Sequence, residues 1–126
     1  MSQPLSRPDV EPPTGPAPDD LVIEDLVVGE GQEAKAGDLV SAHYVGVTHD
    51  GGEQFDASWD RGDPLEFRLG VGMVIQGWDE GIQGMRVGGR RRLTIPAQKA
   101  YGDRGAGGVI APGATLVFVV DLVGVR

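Results

Sequence analysis

From Leu21 onward, apolar and polar residues alternate in short runs broken by glycine and aspartate, the pattern of strands joined by tight turns. Leu21–Val28 is apolar and β-branched and stops at Gly29-Glu30-Gly31. Leu39–Val47 follows Gly37-Asp38 and sets Val40, Ala42 and Tyr44 on one face, since alternate residues of a strand share a face. Asp50-Gly51 is a tight-turn dipeptide, so Gln54–Ser58 is predicted to fold back on that strand as a hairpin. Leu65–Leu69 follows Asp63-Pro64. Arg90–Ile95 puts Leu93 and Ile95 on one face, joined by Arg91 unless that residue lies at the sheet's end. Thr115–Val125 alternates most clearly, with Leu116, Phe118, Val120 and Leu122 facing one way.

One segment has helical spacing. In Val74–Met85, Val74, Trp78, Ile82 and Met85 recur at intervals of four, four and three. Gly77 and Gly81 lie inside it and each weakens a helix by roughly 1 kcal/mol. Packing must therefore hold it, with Trp78 pressed onto the sheet. The expected fold is α+β: a curved, mainly antiparallel sheet of five to six strands wrapped around one short helix.

Composition adds a boundary. Of the 126 residues, nine are proline, and six of those fall within residues 1–20, where few apolar residues offset the entropy of ordering. Residues 1–19 read as a disordered Pro-rich tail and 20–126 as one folded domain. A net charge of −8 argues against nucleic acid or an anionic membrane as partner. Arg90-Arg91-Arg92 reads as a charged sheet face or edge rather than an anion site. The absence of cysteine excludes disulfides, thiolate metal sites and thiol nucleophiles. No metal or cofactor is expected. Gly70-Val71-Gly72 and Gly105 to Gly108 complete no phosphate-loop motif. With no basic start before an apolar run, and no apolar stretch of about 20 residues, a soluble cytoplasmic monomer is expected.

Several short patches follow one another in a specific order. They are Ala42-His43-Tyr44-Val45-Gly46, Gly52-Glu53-Gln54-Phe55-Asp56-Ala57-Ser58, Pro64-Leu65-Glu66-Phe67 and Leu69-Gly70. Then come Val74-Ile75-Gln76-Gly77-Trp78-Asp79-Glu80-Gly81, Met85-Arg86-Val87-Gly88, Leu93-Thr94-Ile95-Pro96, Ala100-Tyr101-Gly102, Ile110-Ala111-Pro112 and Ala114-Thr115-Leu116-Val117-Phe118. In order and spacing, Leu21 to Arg126 resembles the FKBP-type peptidyl-prolyl cis-trans isomerases.

The resemblance implies a pocket between sheet and helix that holds a prolyl ring. Trp78 would be its floor, and Tyr44, Phe55, Leu65, Val74, Ile75 and Phe118 its walls. Asp56 and Tyr101 would stand at its mouth and Ile110 above it, with Arg61 steadying Asp56 and Tyr44. Asp56, Tyr101 and Phe55 would act most directly on the amide. From local sequence alone, Trp78, Phe118 and Tyr44 are ordinary core aromatics, Asp56 caps a turn equally well, and Tyr101-Gly102 is a strand-to-loop corner. His43 and His49 read as a strand and a turn histidine.

The chain departs from the family pattern in places. Leu65 stands where an aromatic residue is usual, Met73 where an acidic one is frequent, and Ala106-Gly107 make a small loop tip. These bear on which residue precedes the proline and on affinity for macrolides such as tacrolimus or rapamycin. The Tyr101–Thr115 loop has no room for an inserted chaperone domain. The expected partners are proline-containing polypeptides. Alternative readings are a proline-recognising binding module with incidental turnover, and an acidic scaffold working through its tail.

Overall fold

The computed structural model describes residues 6–11, 15–106 and 110–126. Six strands form one sheet: β1 (Val22–Val27), β2 (Leu39–Thr48), β3 (Gln54–Ala57), β4 (Leu65–Arg68), β5 (Arg90–Ile95) and β6 (Leu116–Val125). The order is β1-β5-β6-β2-β3, with β4 also pairing β2, and every pairing is antiparallel. Among the described residues two helices accompany it, α1 (Ser58–Arg61) and α2 (Gln76–Gly81), with 3₁₀ turns at Ala97–Lys99 and Gly102–Arg104.

The expected α+β architecture is present, and the differences lie at the edges of elements. The helix predicted over Val74–Met85 is regular only from Gln76 to Gly81. Its two glycines let it lie close on the sheet. A Cβ at Gly77 would stand 2.5 Å from Ile95 Cγ2, and one at Gly81 would stand 2.7 Å from Leu93 Cδ2. Close approach here matters more than helix propensity. Arg91 does lie at the end of the inner face. Its guanidinium donates to the carbonyls of Gly81 and Gln83 and pairs with Asp25 at 2.6 Å, so it closes the C-terminal end of α2. Arg90 pairs with Asp121 and Arg92 with Glu24, so each member of the arginine run has a carboxylate of its own.

The second helix, α1, was not expected, and it arises from how β2 is shared. Residues 39–42 of β2 pair with β4, and residues 45–47 pair with β3. Between them the backbone of Tyr44 faces no strand on that side. Ser58, the first residue of α1 and fully buried, fills the gap: its Oγ accepts from the Tyr44 amide at 2.7 Å. A buried amide left without a partner would be costly.

The main core lies between the inner face of the sheet and α2, and includes Val40, Phe67, Trp78, Ile82, Leu93, Ile95, Leu116 and Val120. A smaller cluster on the outer face joins Val45, Val47, Ala57 and Val117, with Val10 and Trp59 packed against it. The Pro-rich segment thus meets the domain in its described part: Pro8 is buried and Val10 rests on the sheet. Residues 1–5 and 12–14 of the expected tail lie outside the described residues. At the opposite margin β1 pairs, among the described residues, only with β5, and all six of its residues are exposed.

Candidate functional site

A cavity of about 420 Å³ opens between α2 and the inner face of β2, β3 and β6. Trp78, buried on the first turns of α2, forms its base. Tyr44 meets the indole edge-on at 4.8 Å and 77°, and Phe118 meets it at 5.2 Å and 83°. Phe55 stands perpendicular to Phe118 at 5.4 Å. Edge-to-face pairs of this kind hold one another in orientation, so the walls are stiff.

Phe55 reaches the cavity because of a register shift. Val47 pairs with Gln54 and Gly46 with Asp56, which leaves Phe55 as the additional residue of a β-bulge. Gly46 makes room for the rings: a Cβ there would stand 2.6 Å from Phe55 Cζ and 2.7 Å from Phe118 Cε1. Leu65, Val74, Ile75 and Met73 complete the apolar rim, and Tyr101 stands at the mouth, 39% exposed. Phe67 supports the indole from behind at 5.6 Å.

Two expected residues lie outside the lining. Ile110 is buried in the main core, and its backbone bonds reciprocally to Ala106 at 2.9 and 3.0 Å, closing the loop on itself. Gly107, the other expected tip residue, lies outside the described residues. Arg61 stands beside the cavity and acts on groups that do line it.

Those groups form a closed polar triad. The Tyr44 hydroxyl donates to Asp56 Oδ2 at 2.6 Å. Arg61 donates through Nη1 to Asp56 Oδ1 at 2.7 Å and through Nη2 to the Tyr44 hydroxyl oxygen at 2.8 Å. Burial raises the Asp56 carboxyl, but the hydrogen bonds from Tyr44 and Arg61 outweigh it and leave the group below its ordinary value of 3.8. Burial, reinforced by the hydrogen bond to Asp56, lifts the Tyr44 phenol above 10.0. Tyr101 is raised by burial and then by the charge of Asp56. Bonds to Tyr44 and Asp56 raise Arg61 in turn. At neutral pH the site therefore holds one carboxylate, one guanidinium and two neutral phenols. Tyr101 makes no hydrogen bond among the described residues, so its hydroxyl is free to donate into the mouth.

The rim carrying Met73, Val74 and Ile75 is fixed by a residue with no expected role. Asp79, in the first turn of α2, accepts from the amides of Gly70 and Gly72 at 2.8 and 2.9 Å. The Ile75 carbonyl accepts from the amides of Trp78 and Asp79, which begins the helix. Its own amide has no backbone acceptor among the described residues. An acidic residue in the first turn of a helix was the available signal for Asp79; Ser58 had none, since a four-residue helix leaves no period to read.

The arrangement supplies shape, a dry apolar surface and fixed charge. Among the described residues no group of three or more His, Asp or Glu is placed to hold a metal ion, and no helix is long and apolar enough to cross a membrane.

Comparison with known proteins gives a consistent picture. The sequence profile of the family described as FKBP-type peptidyl-prolyl cis-trans isomerase matches residues 30–123. The chain is 62% identical over 122 residues to an FK506-binding protein of Streptomyces anulatus, covering 96% of this chain and 98% of that one. It is 55% identical over 119 residues to a probable FK506-binding protein of Corynebacterium glutamicum, covering 94% and 98%. Among solved structures, that of AtFKBP13 superposes with a TM-score of 0.79 at 46% identity, covering 87% of this chain and 96% of that one.

Proposed function

Because this chain belongs to the FKBP-type peptidyl-prolyl cis-trans isomerases, we propose that the Trp78-floored cavity is where it binds and twists X-Pro amides of protein substrates. The amide has a rotational barrier of about 18–20 kcal/mol, and unaided exchange takes tens to hundreds of seconds. An acceleration of roughly 10⁵-fold needs about 7 kcal/mol of differential stabilisation. A planar amide is strongly polar, whereas a twisted one has a pyramidal nitrogen and less charge separation. An apolar cavity therefore favours the twisted form over the planar one.

Trp78, Phe55, Val74, Ile75 and Phe118 bury the prolyl ring and fix its axis. Tyr101 donates to a substrate carbonyl, and the free amide of Ile75 holds the chain beyond the proline. Asp56 acts by its field near the rotating carbonyl and by holding Tyr44 in place. No proton is transferred, consistent with a carboxylate bonded through both of its oxygens. The observation that carries this reading is the pairing of a rigid aromatic cavity with that locked triad at its edge.

Residues 20–126 act as the isomerase domain, assisting the folding of proline-containing proteins in the cytoplasm. Macrolides such as tacrolimus or rapamycin occupy the same cavity, a reading supported by the names of the relatives and by its apolar rim. The test is turnover of a panel of X-Pro peptides with and without tacrolimus. Acceleration abolished by the drug is expected; peptide binding without acceleration would make the protein a binding module instead.

The ionisation states predict a pH profile. Asp56 is depressed in the folded chain, so its bonds persist at neutral pH and are lost only as pH falls through its lowered value. Both phenols are raised, so they stay neutral into alkali. Turnover should be flat from about pH 5 to 9 and fall only below the ordinary carboxylate value of 3.8 and above the ordinary phenol value of 10.0. A transition near neutrality, measured at constant ionic strength, would contradict this assignment of charges.

A further inference from the structure

The segment Ser6–Glu11 lies on the outer face of the sheet, opposite the cavity, and its contacts converge on α1. Arg7 Nε lies 3.2 Å from Asp60 Oδ1, and Arg7 Nη2 donates to Gln54 Oε1 at 2.5 Å. Gln54 Nε2 donates in turn to Asp60 Oδ2 at 2.9 Å, so the three side chains close a ring. Pro8 is buried, and Val10 packs with Trp59 on the outer cluster. The carbonyl of Ser6 accepts from Arg90, which is itself held by Asp121.

Each residue of α1 is thereby committed. Ser58 is bonded to the backbone of Tyr44 and lies 2.8 Å from His43 Nδ1. Trp59 stacks on His43 at 4.1 Å and packs on the outer cluster that also carries Val10. Asp60 is paired with Arg7. Arg61, the last residue, reaches round to Asp56 and Tyr44 in the cavity wall. A four-residue helix has almost no stability of its own, so its orientation depends on these anchors.

We infer that Ser6–Glu11 is a positioning strap: anchored on the outer cluster by Val10 and clamping α1 through Arg7, it sets the reach of Arg61 to Asp56 and so tunes turnover. Among the described residues the strap bonds to no group that lines the cavity, so its effect belongs to kcat more than to KM. The inference rests on the reading that the Arg61–Asp56 pair serves isomerisation.

The experiment compares Arg7→Ala, Arg7→Lys and a chain lacking residues 2–11, each in the native and the Arg61→Ala background. X-Pro exchange is followed by NMR and folding is verified by thermal melts. Expected is a threefold to tenfold loss of kcat, roughly, in Arg7→Ala and in the shortened chain, with KM nearly unchanged and partial rescue by Arg7→Lys. In the Arg61→Ala background the same changes should have no further effect, which a general loosening of the fold would not produce. Unaltered kcat in both folded strap variants overturns the strap, as does an undiminished loss in the Arg61→Ala background. Arg61→Ala alone at full turnover overturns the site reading instead. If the shortened chain does not fold, Asp60→Ala breaks the clamp from its other end and decides the question.

Discussion

Asp56→Ala should lower kcat/KM for an X-Pro peptide by roughly 10²- to 10³-fold, the range for losing one preorganised electrostatic group, while the chain stays folded. Both partners lose their common acceptor. The Tyr44 hydroxyl has Asp56 as its acceptor and Arg61 as its donor, so losing the carboxylate frees the phenol to rotate and leaves the guanidinium unopposed at the mouth. Asp56 and Arg61 side chains are 42% and 51% exposed, so water screens the pair and its contribution to stability is small. The two effects therefore separate. Asp56→Asn keeps the shape and one acceptor oxygen but removes the charge, and should fall between the two. Steady-state turnover with a parallel thermal melt checks this, and full activity in a folded Asp56→Ala chain would remove the triad from the mechanism.

Trp78→Ala should act mainly on the fold. Trp78 touches Tyr44, Phe67 and Phe118 and is only 4% exposed, so its removal leaves a void that three ring systems cannot fill by small adjustments. A loss of about 3–5 kcal/mol is expected, as for other buried aromatic deletions. Trp78→Phe should restore most of the stability, because a ring still fills the base, but turnover should recover less, since the floor under the prolyl ring is smaller. Denaturant titration of the three chains, with turnover measured on the folded ones, checks both halves. A Trp78→Ala chain as stable as the parent would mean that the indole is not the base of a packed cavity.

The order of elements was legible where periodicity was strong. Leu116, Phe118, Val120 and Leu122 alternate without interruption, and they form the inner face of β6. Trp78 could be placed on a helix against the sheet because Val74, Ile82 and Met85 shared its spacing. What escaped notice depends on single long-range contacts that leave no pattern. Ser58 is one of four serines, unmarked by its neighbours until the backbone of Tyr44 is left without a strand partner. The strap is polar and has Val10 as its one aliphatic residue, so by composition it resembles a free tail. Its order comes from Arg7 meeting Asp60 and Gln54 about fifty positions along the chain. The bulge that turns Phe55 inward was likewise hidden, because a one-residue slip in pairing is set by the partner strand. Most of the cavity wall could be named from the family resemblance. Met73 joins that wall because Asp79 fixes the loop before α2.

The unshared margin of the sheet has a consequence for how this molecule behaves when concentrated. Val22, Ile23, Leu26 and Val27 are bare there, a template onto which a second copy could zip its own backbone, and Glu24 and Asp25 are the local guards. Mutual repulsion between molecules carrying a net −8 keeps such margins apart at neutral pH. That repulsion fades on acidification toward the isoelectric point near 4.5, so association through this border is expected to set in there.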